Sequence, residues 1–344
     1  MSELVSGNSQ AAGKVSSTED GFRKLIIQIP CYNEAGTLAI ALADLPRQVT
    51  GYDVVEWLVI DDGCTDDTVK VALENGVDHI VSLRRNQGLA KGFMAGIEAC
   101  LKLGAHTIVN TDADNQYKAS HIPDLVMPIL SGEADYVVGE RPIVKHPHFS
   151  PIKKMLQSLG SWAVRKASGT SVPDAPSGFR AIHREAAMQI NVFNPYTYTL
   201  ETIIQAGRKK LRVASVPVGV NGDLRPSRLV KSMSSYIKRS IGTIFRYYII
   251  YTPIKAFSVL AALFLIPALG LGIRYMWLAY HGHGDGNIQS LILLSVLATA
   301  GFLSLLLGVV GDLMAINRRI LEENRTRLLR LEIAMAGEKP LPSN

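Results

Sequence analysis

The chain has 344 residues, 47% of them hydrophobic, and its 36 Lys and Arg against 30 Asp and Glu give a formal net charge of +6. This length and apolar content favour one large domain or two ordinary ones and exclude a largely disordered protein. The three cysteines, Cys31, Cys64 and Cys100, lie far apart in the sequence. Their spacing argues against a disulfide framework and a structural zinc site, so we expect a reducing compartment.

Positive charge is concentrated in one part of the chain. Residues 141–250 contain 18 Lys and Arg but only four acids, an excess of 14 positive charges, so the remaining residues carry a net charge of −8. Such a block favours an anionic partner, for which phosphate groups, nucleic acid and an acidic membrane surface are the alternatives. Because the block adjoins apolar segments and carries no recognition motif, we expect no nucleic-acid partner.

The first two-thirds of the chain predict an α/β fold. Residues 1–22 are mostly small and polar and predict a disordered tail. From there to about Val220, β-branched apolar runs alternate with segments of helical spacing. The predicted strands are 24–30, 55–61, 79–83, 106–112 and 135–139, and the predicted helices are 35–45, 65–75, 89–103 and 120–130. This alternation predicts a mostly parallel sheet with helices on both faces.

Polar residues follow all five predicted strands. These segments are 30–34, 61–63, 84–88, 112–116 and 140–141. Because ligands of such sheets bind at the carboxyl ends of the strands, the five segments predict one binding crevice. No GxGxxG follows the first strand and no GxxxxGK[ST] occurs, which disfavours dinucleotide and P-loop sites.

Asp112, Ala113 and Asp114 lie at the carboxyl end of the fourth predicted strand. Side chains two residues apart in an extended chain point to the same side. Two carboxylates placed in this way can hold Mg²⁺ or Mn²⁺ together with the oxygens of a bound diphosphate. The pair therefore predicts a site for a metal and a diphosphate.

Other acids and bases border the predicted crevice. Asp62 can face a base or a ribose, whereas an Asp turn followed by a helix cap at Thr65 or Asp66 is the alternative, and the two are compatible. Cations that could neutralise phosphates are Arg84, Arg85, Arg141, Arg225, Arg228 and Lys231.

Two uncharged apolar segments, 256–273 and 288–311, lie near the C-terminus. At about 1.5 Å per residue each is long enough to cross a hydrocarbon core of about 30 Å. Lys and Arg flank the pair, whereas residues 281–287 between the segments have none, which predicts cytoplasmic flanks and an external loop. We therefore expect a membrane hairpin over 253–316 and a cytoplasmic tail over 317–344. Two buried helices of a soluble protein are the alternative.

Two further features concern the membrane. Residues 227–252 alternate cations with apolar residues at helical spacing. They predict an amphipathic helix on the anionic inner leaflet, with the solvated face of an ordinary helix as the alternative.

Glycines of the hairpin permit close helix contact, either between copies of the chain or within the hairpin. They are Gly270, Gly272, Gly301, Gly308 and Gly311.

Five ordered motifs together resemble one enzyme family. They are IPCYNEAGTL, VIDDGCTDDT, NTDADNQY, VVGER and DAPSGFRAIHREA. This pattern resembles the family 2 glycosyltransferases of the GT-A fold over about residues 24–231. Within that family it looks most like the dolichyl- or undecaprenyl-phosphate sugar synthases, including those that end in a two-helix membrane hairpin. The resemblance implies a nucleotide-sugar-binding GT-A domain over 23–226.

The resemblance also implies individual roles. The residues that would line the base and ribose are Pro30, Tyr32, Glu34 and Asp62. Asp112 and Ala113 would lie under the ribose and diphosphate, and Asp114 and Gln116 would lie at the metal. The cations that would meet the phosphates are Arg141, Arg225, Arg228 and Lys231. Arg228 belongs to a segment similar to the family's Ser-Lys-Leu, although Arg225 stands where a glycine is usual and Gly222 where an arginine is expected. Cys64 replaces a common serine, an exchange that we expect to be tolerated.

The acceptor determines whether a general base is needed. A sugar hydroxyl needs one, whereas a phosphate monoester, with a second pKa of about 6, is already anionic at neutral pH. Where many hydroxyl-acceptor relatives carry a Glu-Asp pair, this chain has Asp174 without an adjacent acid, and it lacks QxxRW. Asp174, or more weakly Glu201, is a candidate base; a structural partner of an arginine is the alternative.

The sequence therefore predicts a metal-dependent inverting glycosyltransferase that moves a hexose from a UDP- or GDP-sugar to a polyprenyl phosphate. We expect a multi-pass protein of the cytoplasmic membrane with its catalytic domain and both termini in the cytoplasm. Transfer to a hydroxyl of a lipid or glycan is one alternative. An inert membrane protein that binds a nucleotide sugar is the other.

Overall fold

The computed structural model describes residues 3–6, 21–142, 164–165, 168–192, 198–222, 242, 246, 249–282 and 288–338. The chain divides into two compact units. Unit 1 comprises Met1–Ser240 and Arg325–Asn344, and unit 2 comprises Ile241–Asn324.

Unit 1 contains an eight-stranded sheet in the order β1-β4-β3-β2-β5-β7-β6-β8. The strands are β1 Glu3–Ser6, β2 Lys24–Cys31, β3 Val54–Asp61, β4 His79–Ser82, β5 Thr107–Asn110, β6 Tyr136–Glu140, β7 Arg180–His183 and β8 Val213–Pro217. β1 and β7 are antiparallel to their neighbours, and the remaining pairs are parallel. The mostly parallel sheet confirms the predicted fold class.

Six helices accompany the sheet in the described part of unit 1. They are α1 Ala35–Asp44, α2 Thr68–Glu74, α3 Leu89–Lys102, α4 Ile122–Leu130, α5 Arg184–Gln189 and α6 Thr199–Arg208, with a 3₁₀ turn at Ala119–His121. α2 begins three residues later than predicted. Asp66 Oδ1 accepts the N–H of Thr68 at 3.1 Å, an Asx turn that directs the chain into the helix.

Helices cover both faces of the sheet, as predicted. Leu25, Ile27 and Ile29 of β2 share one buried core with residues of α1 and α4. On the other face Gln28 lies against α3, since a Cβ at Gly96 would be 2.5 Å from Gln28 Oε1. Strands enclosed on both faces are apolar at successive positions, and β2 accordingly reads KLIIQIPC.

β1 lies within residues 1–22, for which composition predicts a disordered tail, and gives residues Glu3–Ser6 of that segment an extended conformation. The strand pairs with β4 from Glu3 opposite Ser82 to Ser6 opposite His79. Without β1, β4 would be an edge strand whose unpaired N–H and C=O groups invite an additional strand. Composition cannot reveal this partner, which is more than 70 residues away in the sequence.

Unit 2 contains two long helices in its described part, α7 Pro253–Tyr280 and α8 Ile288–Glu338, of which α8 continues into unit 1. Both are long and apolar enough to cross a membrane, and only 11% and 17% of their most apolar windows are buried. Leu263, Ile266 and Phe302 are between 66% and 69% exposed. Low burial argues against the alternative of two core helices of a soluble protein. These properties are those of a membrane protein.

The glycines of unit 2 bring α7 and α8 together. A Cβ at Gly301 would lie 2.5 Å from Leu265, and one at Gly311 would lie 2.8 Å from Pro253. Gly272 and Gly308 approach the facing helix similarly, and Gly270 has open space around it. Of the two predicted uses of these glycines, contact within the hairpin is therefore present. The predicted amphipathic helix over 227–252 lies mostly outside the described residues.

α8 continues to Glu338, so residues 317–338 of the predicted cytoplasmic tail are helical, and the cytoplasmic location of the tail stays a prediction. The C-terminal part of α8 belongs to unit 1 and packs on α5. Leu329 is 7% exposed, Thr326 Oγ1 donates to the carbonyl oxygen of Met188 at 3.3 Å, and Arg330 pairs with Glu185 at 2.6 Å. The helix thus gains stability from residues about 140 positions away, which sequence periodicity does not show.

Candidate active site

The carboxyl ends of β4, β3, β2 and β5 lie along one edge of the sheet, because these neighbouring strands are parallel. Cys31 at the end of β2 is opposite Asp61, and Asp61 is opposite Ser82 at the end of β4. The polar segments that follow these strands therefore border the same edge, as the sequence predicts.

Asp62 holds the loop that follows β4. Its side chain is buried, Oδ1 accepts the N–H of Gln87 at 2.7 Å, and Oδ2 accepts the N–H of Gly88 at 2.9 Å. Burial raises the pKa of Asp62, although the two N–H groups act in the opposite direction. Gly63 has φ +69, and a Cβ there would lie 2.5 Å from the carbonyl carbon of Arg85. The residue predicted to meet a base or ribose thus has two partners in the protein backbone.

The neighbouring acids also bind backbone groups. Asp61 Oδ1 accepts the N–H of Cys64 at 2.7 Å, which is the predicted Asp turn. Asp66 Oδ2 accepts the N–H of Ala35, the first residue of α1, at 3.2 Å, and thereby joins the starts of α1 and α2. Cys64 Sγ accepts the N–H of Asn33 at 3.3 Å, the type of bond that the usual serine hydroxyl can also form.

The segment after β2 carries the other residues predicted to meet the nucleotide. Tyr32 is 42% exposed, so its ring can offer a stacking surface to a base. Glu34 is buried, and its Oε2 accepts a hydrogen bond from Thr37 Oγ1 at 3.0 Å. Pro30 is the penultimate residue of β2 and is partly exposed.

Asp112 and Asp114 follow β5 and are both partly exposed, whereas Ala113 between them is buried. Asp114 Oδ1 accepts the N–H of Gln116 at 3.2 Å. The next residue, Asn115, has a left-handed backbone with φ 55, a conformation that asparagine tolerates. Its side chain donates to Asp44 Oδ2 at 2.8 Å, so the turn is joined to the end of α1.

Arg141 and Asp174 form a bidentate ion pair at the end of β6. Arg141 Nε lies 2.7 Å from Asp174 Oδ2, and Nη2 lies 3.0 Å from Oδ1. Asp174 is fully buried. Burial opposes the charge of Arg141, but Tyr117, Asp174 and Asp112 together raise its pKa above the ordinary value. Of the two roles left open for Asp174, the structure shows the partner of an arginine.

Arg180 is a further residue that sequence reasoning missed. Its side chain is fully buried and donates to the carbonyl oxygens of Ala175 at 2.9 Å and Ser177 at 2.8 Å. It also donates to Tyr136 Oη at 2.6 Å. Arg180 therefore fixes the loop between Asp174 and β7. An arginine beside apolar residues in SGFRAI is the signal that could have revealed it.

Some of the remaining candidate residues lie within the described part of the chain and others do not. Glu201 is fully buried in α6 and accepts a hydrogen bond from Gln205 Nε2 at 3.2 Å. Arg84 and Arg85 are exposed. Arg225, Arg228 and Lys231 lie outside the described residues.

The donor set at Asp112 and Asp114 fits a divalent cation that binds together with phosphate. Carboxylates and the amide oxygen of Gln116 are hard ligands of the kind that Mg²⁺ and Mn²⁺ accept. Across the described ranges, no cluster of three His, Cys, Asp or Glu side chains could hold a metal by itself. An ion here would therefore need ligand oxygens, such as those of a diphosphate, to complete its shell.

Comparisons with known proteins identify the family of the chain. The family model for "Glycosyl transferase family 2" matches residues 26–190. An uncharacterized glycosyltransferase of Mycobacterium tuberculosis is 31% identical over 213 residues, which cover 58% of this chain and 91% of that protein. The chain belongs to glycosyltransferase family 2. It is accordingly a glycosyltransferase, as the resemblance of its motifs implies.

The chain is also similar to one enzyme with a named acceptor and to one solved structure. The UDP-N-acetylglucosamine–dolichyl-phosphate N-acetylglucosaminyltransferase of Methanococcus voltae is 28% identical over 213 residues, covering 55% of this chain and 82% of that enzyme. The glucosyl-3-phosphoglycerate synthase of M. tuberculosis, solved with Mn²⁺, UDP and glucosyl-3-phosphoglycerate, has a TM-score of 0.51 at 22% identity. That match covers 64% of this chain and 80% of the solved chain, and it shows a shared fold.

Proposed function

We propose that this glycosyltransferase moves a hexose from a UDP- or GDP-sugar to a polyprenyl phosphate, with inversion at the anomeric carbon and with Mg²⁺ or Mn²⁺. The observation that carries the proposal is the Arg141–Asp174 pair. A relative that is 28% identical supports it, because its name gives dolichyl phosphate as the acceptor.

The ion pair favours a phosphate acceptor over a hydroxyl. A hydroxyl must lose a proton to a base, but both oxygens of Asp174 bind Arg141. Asp61, Asp62 and Asp66 accept backbone N–H groups. A phosphate monoester needs no base and binds instead to cations, and Arg141 is a cation held at this edge.

The donor would occupy the edge formed by β2, β3 and β5. Tyr32 and Glu34 would bind the base, and Asp112 and Ala113 would lie under the ribose and diphosphate. Asp114 and Gln116 would hold the divalent ion, with Asp112 beside them, and the ion when bound neutralises the charge of the leaving diphosphate. Arg141 would attract the acceptor phosphate or the leaving diphosphate, with Asp174 fixing its orientation. Arg225, Arg228 and Lys231 would add positive charge.

The membrane arrangement belongs to the same proposal. The catalytic domain over 23–226 and both termini would be cytoplasmic, the helix over 227–252 would lie on the inner leaflet, and α7 and α8 would cross the bilayer. The external loop would be 281–287, which contains no Lys or Arg. This topology would bring a phosphate at the membrane surface to the basic block.

A transfer assay with the full chain in detergent tests the proposal. UDP- and GDP-sugars carrying a radiolabelled sugar are offered with undecaprenyl or dolichyl phosphate and Mn²⁺ or Mg²⁺. Label is expected in the organic phase with one donor, and it should disappear with Asp114→Ala. Asp124→Ala is the matched control, because that carboxylate is 63% exposed on α4. Metal-dependent nucleotide binding without labelled lipid phosphate would reject the polyprenyl-phosphate acceptor.

Asp174→Asn separates the two acceptor classes. The amide is close in shape and can still accept from Arg141, but it cannot act as a base. Transfer to phosphate should therefore be weakened, whereas transfer to a hydroxyl that depends on Asp174 should be abolished. Loss of turnover with retained donor binding and an unchanged melting temperature would favour the hydroxyl acceptor.

A further inference from the structure

Gly178 lies against the carboxylate of Asp112. A Cβ at position 178 would be 3.1 Å from Asp112 Oδ2, 3.2 Å from Oδ1 and 3.1 Å from Tyr198 Oη. Gly178 is not among the residues with positive φ, so the turn itself does not require glycine. A Cβ here would instead force the carboxylate of Asp112 or the hydroxyl of Tyr198 to shift by a few tenths of an ångström.

Buried side chains fix both polar groups of the Gly178 backbone. The N–H donates to Tyr117 Oη at 2.9 Å, and the carbonyl oxygen accepts from Asn110 Nδ2 at 2.9 Å. Tyr198 Oη also donates to this carbonyl at 3.3 Å. All three side chains are at most 3% exposed. The N–H and the carbonyl oxygen of Gly178 are therefore both hydrogen-bonded to buried side chains.

The same network reaches the strand that carries Asp112. Asn110 is the last residue of β5, two positions before Asp112, and its Oδ1 accepts from Gln28 Nε2 of β2 at 2.9 Å. The ring of Tyr198 stacks on Phe93 of α3 with centroids 3.9 Å apart. One set of buried hydrogen bonds thus joins Gly178 to Asn110, which precedes Asp112 by two residues.

Ser177 indicates that its neighbours determine the position of this loop. In the described part of the chain, Ser177 Oγ is a buried oxygen without a hydrogen-bond partner. Leaving a buried hydroxyl unpaired is unfavourable, so the conformation does not arise from the needs of Ser177. The bonds to Gly178 and those of Arg180 to Ala175 and Ser177 impose it instead.

We propose that Gly178, Asn110 and Tyr198 are positioning residues that hold the carboxylate of Asp112 ready for the ribose and diphosphate of the donor. The identity of that ligand rests on the proposed function. A carboxylate that is already ordered binds without a further loss of conformational freedom. Displacing it by a few tenths of an ångström should therefore weaken donor binding and leave acceptor binding unchanged.

Gly178→Ala in the full chain tests this role. Its Cβ would displace Asp112, and we expect the dissociation constant for UDP or GDP with Mn²⁺, measured by calorimetry, to rise about 10-fold or more. The donor KM should rise with it and the acceptor KM should not. Gly92→Ala is the matched control, because its Cβ would meet only Ile60 Cγ2 at an ordinary 3.8 Å. Melting temperatures of both variants exclude unfolding as the cause.

Tyr198→Phe keeps the test informative if Gly178→Ala does not fold. It retains the ring on Phe93 but removes a donor to Gly178, so a smaller rise in the nucleotide dissociation constant is expected. In the double variant this change also removes the contact between the new Cβ and Tyr198 Oη. Recovery of wild-type binding there would show that crowding of Tyr198, and not displacement of Asp112, is the cause.

The outcomes separate the two proposals. Nucleotide binding and sugar transfer by the wild type, with unchanged binding by Gly178→Ala, would overturn the positioning role alone. A wild type that binds neither UDP nor GDP with Mn²⁺ would overturn the proposed function, and the positioning role with it.

Discussion

The carboxylates along the two halves of the sheet edge differ in what they bind. In the half formed by β4, β3 and β2, Asp61, Asp62 and Asp66 accept backbone N–H groups of nearby loops. In the half formed by β5, β7 and β6, Asp174 binds the guanidinium of Arg141, and Asp112 lies against Gly178. The first group therefore holds loops in place, whereas the second presents or orients charge.

This difference shows that an acidic strand end is not by itself a binding site. A carboxylate that accepts two partly buried N–H groups, as Asp62 does, contributes to stability, and its loss leaves those donors unpaired. A carboxylate that is partly exposed, such as Asp114, can exchange water for a ligand at little structural cost. Substitutions in the two halves should therefore change different measured quantities.

Asp114→Ala should have the largest effect on activity. Removing a ligand of the divalent ion should lower transfer by about 10³-fold, the scale of losing a group that stabilises developing charge. The melting temperature should change little, because the hydrogen bond of Asp114 to Gln116 lies within one turn. Initial rates at saturating donor, with melting curves, measure both. If Asp114→Ala retained a tenth or more of the activity, Asp114 would not be a ligand of the divalent ion.

Asp62→Asn should affect stability more than chemistry. The amides of Gln87 and Gly88 would lose a charged acceptor, which costs about 1–3 kcal/mol in the free energy of unfolding. Denaturant unfolding measures the loss. Asp67→Asn is the matched control, since Asp67 is exposed and its side chain makes no cap hydrogen bond to α2. Equal stability of the two variants would contradict a loop-holding role for Asp62.

Much of the fold could be predicted from the sequence because its central strands are long, buried and β-branched. β2 and β3, of eight residues each, give continuous apolar runs. The sequence pattern does not predict β7 and β8, because RAIH and VASVP lack the run of β-branched residues that marks the other strands. Their pairing with β5 and β6 depends on residues far away in the sequence.

The candidate site shows the same division. Asp112, Asp114 and Arg141 became candidates because polar residues at strand ends are a local signal, and Asp174 became one through the resemblance to the glycosyltransferase family. Gln28, Asn110 and Tyr198 could not be identified in either way, since their bonds join residues 82 and 88 positions apart. A glutamine and an asparagine within otherwise apolar strands were the available signal, since buried polar groups need partners. Sequence alone does not say which partners.

Leu329→Ala serves as a reference variant, because it should lower stability without changing the candidate active site. Leu329 of α8 is 7% exposed, so truncation should lower the free energy of unfolding by roughly 2 kcal/mol. Leu328→Ala is the matched control, because that side chain is 61% exposed and should change stability by less than about 0.5 kcal/mol. If Asp62→Asn raises the donor KM more than Leu329→Ala does at similar stability, Asp62 also meets the nucleotide. Equal values would assign Asp62 to the loop alone.

The smallest expected effect is that of His106 on the pH dependence of stability. His106 lies at the opposite end of β5 from Asp112. Burial lowers the pKa of His106 to about 4 from an ordinary 6.5, and the charges of His183, Arg23 and Arg184 act in the same direction. Between those two pH values the unfolded chain binds a proton that the folded chain does not. The free energy of unfolding should therefore decrease as the pH falls from 6.5 to 4, with a slope for this residue below about 1.4 kcal/mol per pH unit.

His106→Gln should flatten this part of the pH dependence, because glutamine does not titrate. Denaturant unfolding at pH 7 and pH 5 measures the change. The ring centroid of His183, whose pKa burial also lowers, is 5.0 Å from that of His106, so the measured difference includes the loss of the interaction between the two imidazoles. The dependence of transfer on Mn²⁺ should stay the same, since His106 precedes β5 and Asp112 follows it. If His106→Gln instead altered the metal dependence, the two ends of the strand would be coupled, and the assignment of chemistry to the carboxyl ends would need revision.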